Sequence, residues 1–246
     1  MIDTESKHSK KIYKFADSIF QNTFVKEICE IINKSKSNKK INIFDIGSYL
    51  GNFSREIKKK INKNKLNRVN FILFEPNPYI KLKDFNHHCL GISNKSTKKN
   101  YYYNSFFPSS GSGFNKITMN DFLWNLSRKL MTFQIFKKFI KFQVSTISLD
   151  NFCEKKNITR IELLKIDTEG HELQVLKGGK KILNKTKIIQ VEIMAKKKLF
   201  DKKFAKINNF LIKYNFKLLK LKNIWSVSVL SNIKAIDVLY VNKSLN

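Results

Sequence analysis

Four short apolar runs constrain the fold of this chain more than any other feature. They read INIFDI (41–46), NFILFE (70–75), IELLKID (161–167) and TKIIQVEI (186–193), and each ends at or beside an acid. Apolar runs of this length, bounded by turn residues, are buried strands. Stretches with helical spacing lie between and after them: GNFSREIKKKINKN, HELQVLKGGKKIL and FAKINNFLIKYN. Short strands alternating with helices predict an α/β fold, a mostly parallel sheet with helices on both faces.

The rest of the chain fits around that frame. Ile12, Phe15, Ile19, Val25, Ile28 and Ile32 recur at helical spacings over 10–33, and NKSKSNKK then reads as a linker. HHCLGIS and KNYYYN read as two further strands, SFFPSSGSGF as a turn-rich loop, and VSTISLDNF as a strand entering a helix. Phe122, Leu126, Leu130, Phe133 and Phe136 form a helical stripe over 121–141. FKLLKL and IDVLYV supply two closing strands. The expectation is one domain over 1–246, with a helical extension at 1–38 and a loop-plus-helix insertion at 105–141.

Charge suggests a nucleic-acid partner and residue type argues against it. The chain has 48 Lys plus Arg against 19 Asp plus Glu, a net charge of +29. Only Arg55, Arg68, Arg128 and Arg160 are arginine, the residue best suited to bidentate phosphate and base contacts. Lys, Asn and Ile share AT-rich codons, so genome composition explains the lysines, and no dedicated nucleic-acid partner is expected. Cys29, Cys89 and Cys153 stand far apart and suit a reducing, cytoplasmic setting. No apolar run is long enough for a membrane span, and the N-terminus has no apolar signal region.

In a chain poor in acids, several stand where ligands bind in open α/β sheets, at the carboxyl ends of strands. They are Asp45, Glu75, Asp167, Glu169 and Glu192. The turn after Asp45, Gly47-Ser48-Tyr49-Leu50-Gly51, lacks the middle glycine of the dinucleotide fingerprint. A carboxylate there repels a pyrophosphate and welcomes a ligand carrying an ammonium and a sulfonium, as S-adenosylmethionine does. Glu75, one strand–helix–strand unit later, can accept hydrogen bonds from both ribose hydroxyls. A nucleotide-cofactor oxidoreductase and a non-enzymatic nucleic-acid binder are the alternatives, and both fit these acids less well.

FDIGSYLGNFS, FEPNP, STISLDNF, LLKIDTEGHELQVLKGG and IIQVEI, in that order, resemble the FkbM-type methyltransferases. The likeness runs from about residue 41 to residue 193, with a weaker match through IDVLYV. It implies a Rossmann-like class I methyltransferase fold, a seven-stranded sheet with its last strand antiparallel. It also implies S-adenosylmethionine as methyl donor, and O-methylation of a glycan, lipid or secondary metabolite. By motif match Asp45, Gly47, Ser48, Tyr49, Gly51, Asn52 and Phe53 form the cofactor turn, and Glu75 holds the ribose. Pro76 and Asn77, with Gly91, Ile92 and Ser93, fall near the adenine.

For catalysis the expected residues follow the IELLKID strand. Asp167 faces the reacting methyl, His171 is a candidate base, and Glu169 is a further one. No metal site is expected. SSGSG suits a lid over the site. The apolar and basic 121–141 stretch suits packing on the protein body, and also contact with an anionic membrane.

Overall fold

The computed structural model describes residues 23–35, 38–108, 110–223 and 231–245. The expected helical positions Ile12, Phe15 and Ile19 lie outside them. In chain order the elements begin with α1 (Val25–Lys34), β1 (Ile41–Ile46), α2 (Asn52–Lys60), α3 (Lys63–Leu66) and β2 (Val69–Phe74). Then come β3 (Asn86–His88), β4 (Gly91–Ser93), β5 (Thr97–Asn104), α4 (Phe122–Thr132), β6 (Phe139–Ser148) and α5 (Leu149–Lys155). The last third holds β7 (Ile161–Ile166), α6 (Glu172–Lys177), α7 (Lys180–Leu183), β8 (Thr186–Lys196), α8 (Lys197–Ile212), β9 (Phe216–Asn223) and β10 (Ile233–Asn242).

Seven strands form one sheet in the order β3-β2-β1-β7-β8-β10-β9. β1 pairs in parallel with β2 and β7, β7 with β8, and β2 with β3. The last strand, β10, runs antiparallel to both its neighbours. This is the sheet the sequence predicts. A second, three-stranded sheet, β4-β6-β5, was not foreseen as separate.

Alternation along each strand sorts the core into two layers. Phe44, Ile46, Ile72 and Phe74 face α5 to α8 with Leu164, Ile166 and Ile189. Ile41, Ile43, Leu73, Leu163 and Ile188 face α1 and α2, where Ile28, Ile32, Phe53 and Ile57 close over them. A third cluster joins Phe106, Phe107 and Trp124 to Met194, Ile233 and Ala235.

Two expected elements differ. HHCLGIS is not one strand: His88 ends β3 on the large sheet, and Gly91 begins β4 on the small one. The 121–141 stripe is not one helix. Phe133 takes a left-handed backbone (φ 55) that stops α4, and strand β6 has begun by Phe139. No helix among the described residues is long and apolar enough to cross a membrane.

Candidate active site

Three loops leave the carboxyl ends of β1, β2 and β7 side by side. Backbone hydrogen bonds continue past the strand ends and hold them there. Gly47 N donates to Phe74 O (2.9 Å) and Asp167 N donates to Ile46 O (2.9 Å). At Gly47 the backbone is left-handed (φ 77), and a Cβ there would stand 1.7 Å from Asp167 O. Only glycine allows the β1 and β7 loops to lie this close.

Glu75 is buried at the end of β2. Its Oε2 accepts from Tyr49 N (2.9 Å), its Oε1 accepts from Asn77 N (2.9 Å), and the Tyr101 hydroxyl lies 3.4 Å from Oε1. Burial pushes its carboxyl up to about 7, and the two backbone N–H groups work against that rise. The carboxylate is thus fixed by backbone donors from the β1 turn and from its own loop.

Gly47, Tyr49, Glu75, Pro76, Asn77, Gly91, Ile92, Asp167 and Glu169 line one cavity. Tyr101, Ser110, Gly113 and Phe114 line it too, from β5 and the 105–114 loop. Sequence reasoning did not place Tyr101 and Phe114 there. The available signal was the aromatic KNYYYN run beside a glycine-rich loop. The space left free is about 50 Å³, below the roughly 150 Å³ that admits benzene. Pro108, Ser110, Ser112, Gly113 and Phe114 narrow it from the loop side.

Glu169 holds that loop down. Its Oε1 accepts from Ser110 Oγ (3.0 Å) and Gly111 N (2.7 Å), while its buried Oε2 has no hydrogen-bond partner. Burial, reinforced by the charge of Asp167, pushes its carboxyl up to about 8. Burial thus favours the protonated form of Glu169.

Asp45 is not in the cavity lining. Strand alternation turns it with Ile41 and Ile43 into the α1–α2 layer, where it is fully buried. Ser54 Oγ donates to its Oδ2 (2.7 Å), and Lys165 Nζ lies 3.4 Å from its Oδ1. Lys165, which sequence reasoning missed, stands opposite Asp45 in the β1–β7 register and also donates to Asp167 Oδ2 (3.1 Å). Burial works against this ammonium, but Asp167 and Asp45 together hold its pKa above the ordinary lysine value. Asp167 alone of the three aims into the cavity. Asp45, expected in the cavity, is thus outside its lining, Asp167 is in it, and Lys165 stands between the two carboxylates.

The other expected residues are near but not in the lining. Ser48 and Gly51 belong to the turn, where Gly51 N donates to Ser48 O (2.7 Å). Asn52 opens α2, and Phe53 is buried with its ring 5.4 Å below the Lys165 ammonium. Ser93 Oγ lies 3.0 Å from His171 Nε2, and Phe114 packs on the same imidazole at 4.9 Å. Burial, with the charges of Lys99 and Lys203, lowers His171 to about 4. His171 is absent from the lining of the cavity that holds Asp167, with Phe114 between, and it contributes to the lining of a second cavity.

That second cavity, of about 680 Å³, lies between the 115–120 segment, Gly170 to Gln174 and the start of α8. Lys116, Lys196, Lys202, Lys203 and Lys206 line it, with amides and apolar groups and no acid. Lys203 is committed: it pairs with Glu172 Oε2 (2.6 Å) and donates to Gly170 O (2.9 Å) and Met194 O (2.7 Å). Burial raises Glu192, and the charge of Asp167 adds to that rise, which places Glu192 within the electrostatic reach of the site. No group of three or more His, Cys, Asp or Glu able to hold a metal occurs among the described residues.

These shifts set a pH dependence. Glu75 and Asp237 (each about 7) and Glu169 (about 8) keep protons when folded that they release near pH 4 when unfolded. Unfolding then releases protons, so stability falls as pH rises through this window. His171 acts the other way, but only between about 4 and its unfolded value of about 6.5. The melting temperature of the ligand-free protein is expected to drop between pH 6.5 and 8, followed by scanning calorimetry. A rise over that interval would contradict the assignment.

The comparisons agree with the geometry. The sequence profile described as "Methyltransferase FkbM domain" matches residues 45–218. No curated protein matches the chain. Among solved structures, it is similar to precorrin-6y C5,15-methyltransferase from Geobacter metallireducens, at 9% identity over 88% of each chain with a TM-score of 0.38. It is also similar to the fibrillarin pre-rRNA processing protein of Methanococcus jannaschii, at 10% identity over 91% of this chain and 76% of that one, TM-score 0.41. Aeropyrum pernix fibrillarin, solved with natively bound S-adenosyl-L-methionine, is similar at 10% identity over 90% and 76%, TM-score 0.39. Likenesses this distant carry no functional weight. The profile match spans most of the chain and begins at the acid that opened the site. The chain belongs to the FkbM methyltransferase family.

Proposed function

We propose that this chain uses S-adenosylmethionine to methylate a hydroxyl group on a glycan, a lipid-linked sugar or a secondary metabolite. The observation that carries the reading is Glu75, a carboxylate fixed by two backbone N–H groups beside the Gly47 turn. A carboxylate at this place suits a ribose diol and repels a phosphate. Two unpartnered buried oxygens nearby, Ser48 Oγ and Glu169 Oε2, leave polar capacity for a ligand. Asn77, Gly91 and Ile92 would flank the base, and Asp167 the cationic end. When bound, the cofactor supplies a methyl group already activated by sulfonium.

The chain's own residues then have three tasks. The 105–114 loop closes the site and excludes water, and it must first move outward to admit the cofactor. Asp167 offers the acceptor hydroxyl the carboxylate oxygen that Lys165 does not hold, orienting it and receiving its proton. Lys165 keeps that carboxylate in place. His171 and Glu169 fit positioning better than proton transfer, the first because Ser93 and Phe114 hold its ring outside the lining of this cavity, the second because its carboxyl is committed to Ser110 and Gly111 of the loop. The second, lysine-lined cavity favours an acceptor that carries an acidic group.

S-adenosylhomocysteine is expected to raise the melting temperature, by roughly 2.7 kcal/mol of added stability at about 100 times its dissociation constant. Glu75→Gln should weaken that binding about 10- to 100-fold at pH 8, as loss of a hydrogen bond to a charged group costs about 1.5–3 kcal/mol. Stabilisation by NADH and not by S-adenosylhomocysteine would overturn the reading. Transfer of labelled methyl groups into cell extracts, fractionated into glycan, lipid and small-molecule pools, would identify the acceptor.

A further inference from the structure

Helix α4 and the turn after it expose an unusual amount of apolar surface. Nine of the fifteen large apolar side chains that stand exposed among the described residues lie between Met119 and Phe136. Phe122 is 75% exposed, Phe133 79% and Phe136 94%. The helix positions are not scattered. Phe122, Leu126 and Leu130 recur every four residues, with Leu123 beside them, on the face opposite the buried Trp124. A contiguous apolar face of this kind marks an interaction surface.

The charges around it name the partner. Between Asp121 and Asp150 the sequence has no acid, and it carries Arg128, Lys129, Lys137, Lys138 and Lys141. Lys138 and Lys141 stand exposed beside the apolar turn. Phe and Leu on one face with cations at its edge is the pattern of a helix lying in the interface of an anionic bilayer. A second copy fits poorly, since a self-complementary contact would bring the exposed Lys138 and Lys141 of each copy together with no acid between Asp121 and Asp150 to offset them. Nucleic acid fits less well, because six of the nine exposed side chains are aliphatic or methionine and only Phe122, Phe133 and Phe136 offer bases a ring to stack on.

We propose that α4 and the 133–138 turn dock this protein on an anionic lipid surface. The docked helix rides on the loop over the cavity. Trp124 packs where a Cβ on Gly111 would stand (2.5 Å), and Gly111 N is the donor that binds Glu169. Docking thus places α4 between the bilayer and the loop that borders the candidate active site.

The test is flotation with vesicles of phosphatidylcholine alone and of phosphatidylcholine with phosphatidylglycerol, at low salt and at about 0.15 M. The wild-type chain should float with the anionic vesicles under both conditions. Phe122→Ser/Phe136→Ser should lower that binding at least about tenfold at the higher salt, where apolar insertion dominates. The melting temperature and S-adenosylhomocysteine binding should stay unchanged, which separates this proposal from the methyltransferase reading. The proposal is overturned if the wild type floats only at low salt, since general positive charge then explains binding. It is equally overturned if the double variant floats as well as the wild type. Sedimentation velocity covers the remaining case: a wild-type dimer that the double variant dissolves would assign the face to a second copy.

Discussion

Gly47→Ala is expected to lower the melting temperature by about 5–20 °C and to abolish binding of S-adenosylhomocysteine at concentrations that saturate the wild type. The new methyl group would stand 1.7 Å from Asp167 O and 2.8 Å from its carbonyl carbon, so backbone must move. That backbone is not free, because Asp167 N is tied to Ile46 O and Gly47 N to Phe74 O. A left-handed alanine costs about 1–2 kcal/mol, and overpacking adds about 1–3 kcal/mol. At about 2–4 °C per kcal/mol for a chain of this size, the sum reaches the stated range. Gly51→Ala is the comparison. It has nearly the same φ (75), but its Cβ would meet side chains and no backbone: the tips of Leu73 and Leu82 at 3.2 Å and the Phe85 ring at 3.4 Å. It should lose only the conformational part, about 1–2 kcal/mol. If both variants melt alike, the close approach of the β1 and β7 loops is not what this glycine serves.

That comparison shows what the sequence could and could not tell. Gly47 and Gly51 look equivalent in the turn, and only the fold reveals that one of them faces backbone. The strands were readable because a buried strand must be apolar along its length, and the acids at their ends stood out in a basic chain. Side-chain direction was less readable. Asp45 was expected in the cavity, yet period-two alternation sends it to the face of Ile41 and Ile43. Lys165 was hidden inside IELLKID because it interrupts the run without breaking it. Only the pairing reveals it: β7 lies beside β1, and a cation at the penultimate position of β7 comes level with Asp45. Pairing partners were the least readable. Nothing in HHCLGIS says that its halves belong to different sheets, because local periodicity does not encode which strand lies alongside. In the same way Phe133 and Phe136 continue the helical stripe in sequence while standing outside any helix.

Lys165→Met is the sharpest test of the buried charge layer. Its ammonium contacts Asp45 at 3.4 Å and Asp167 at 3.1 Å and has almost no access to solvent. Removing it leaves Asp45 buried with Ser54 Oγ as its hydrogen-bond donor. An uncompensated buried charge costs about 3–5 kcal/mol, or about 6–20 °C of melting temperature at about 2–4 °C per kcal/mol. The cost arises from the partner left behind, so it should be largely recovered by removing that charge as well. Asp45→Asn/Lys165→Met is therefore expected to melt closer to the wild type than Lys165→Met alone, with a coupling of about 1–3 kcal/mol in the double-mutant cycle. Activity should not follow stability in that recovery. Asp167 loses its anchor in both variants, so methyl transfer should stay about 10²- to 10⁴-fold down, the span of a positioned proton acceptor. Additive losses in the cycle would show that Asp45 and Lys165 act separately. Full activity in the refolded double variant would show that Asp167 needs no cation to hold it.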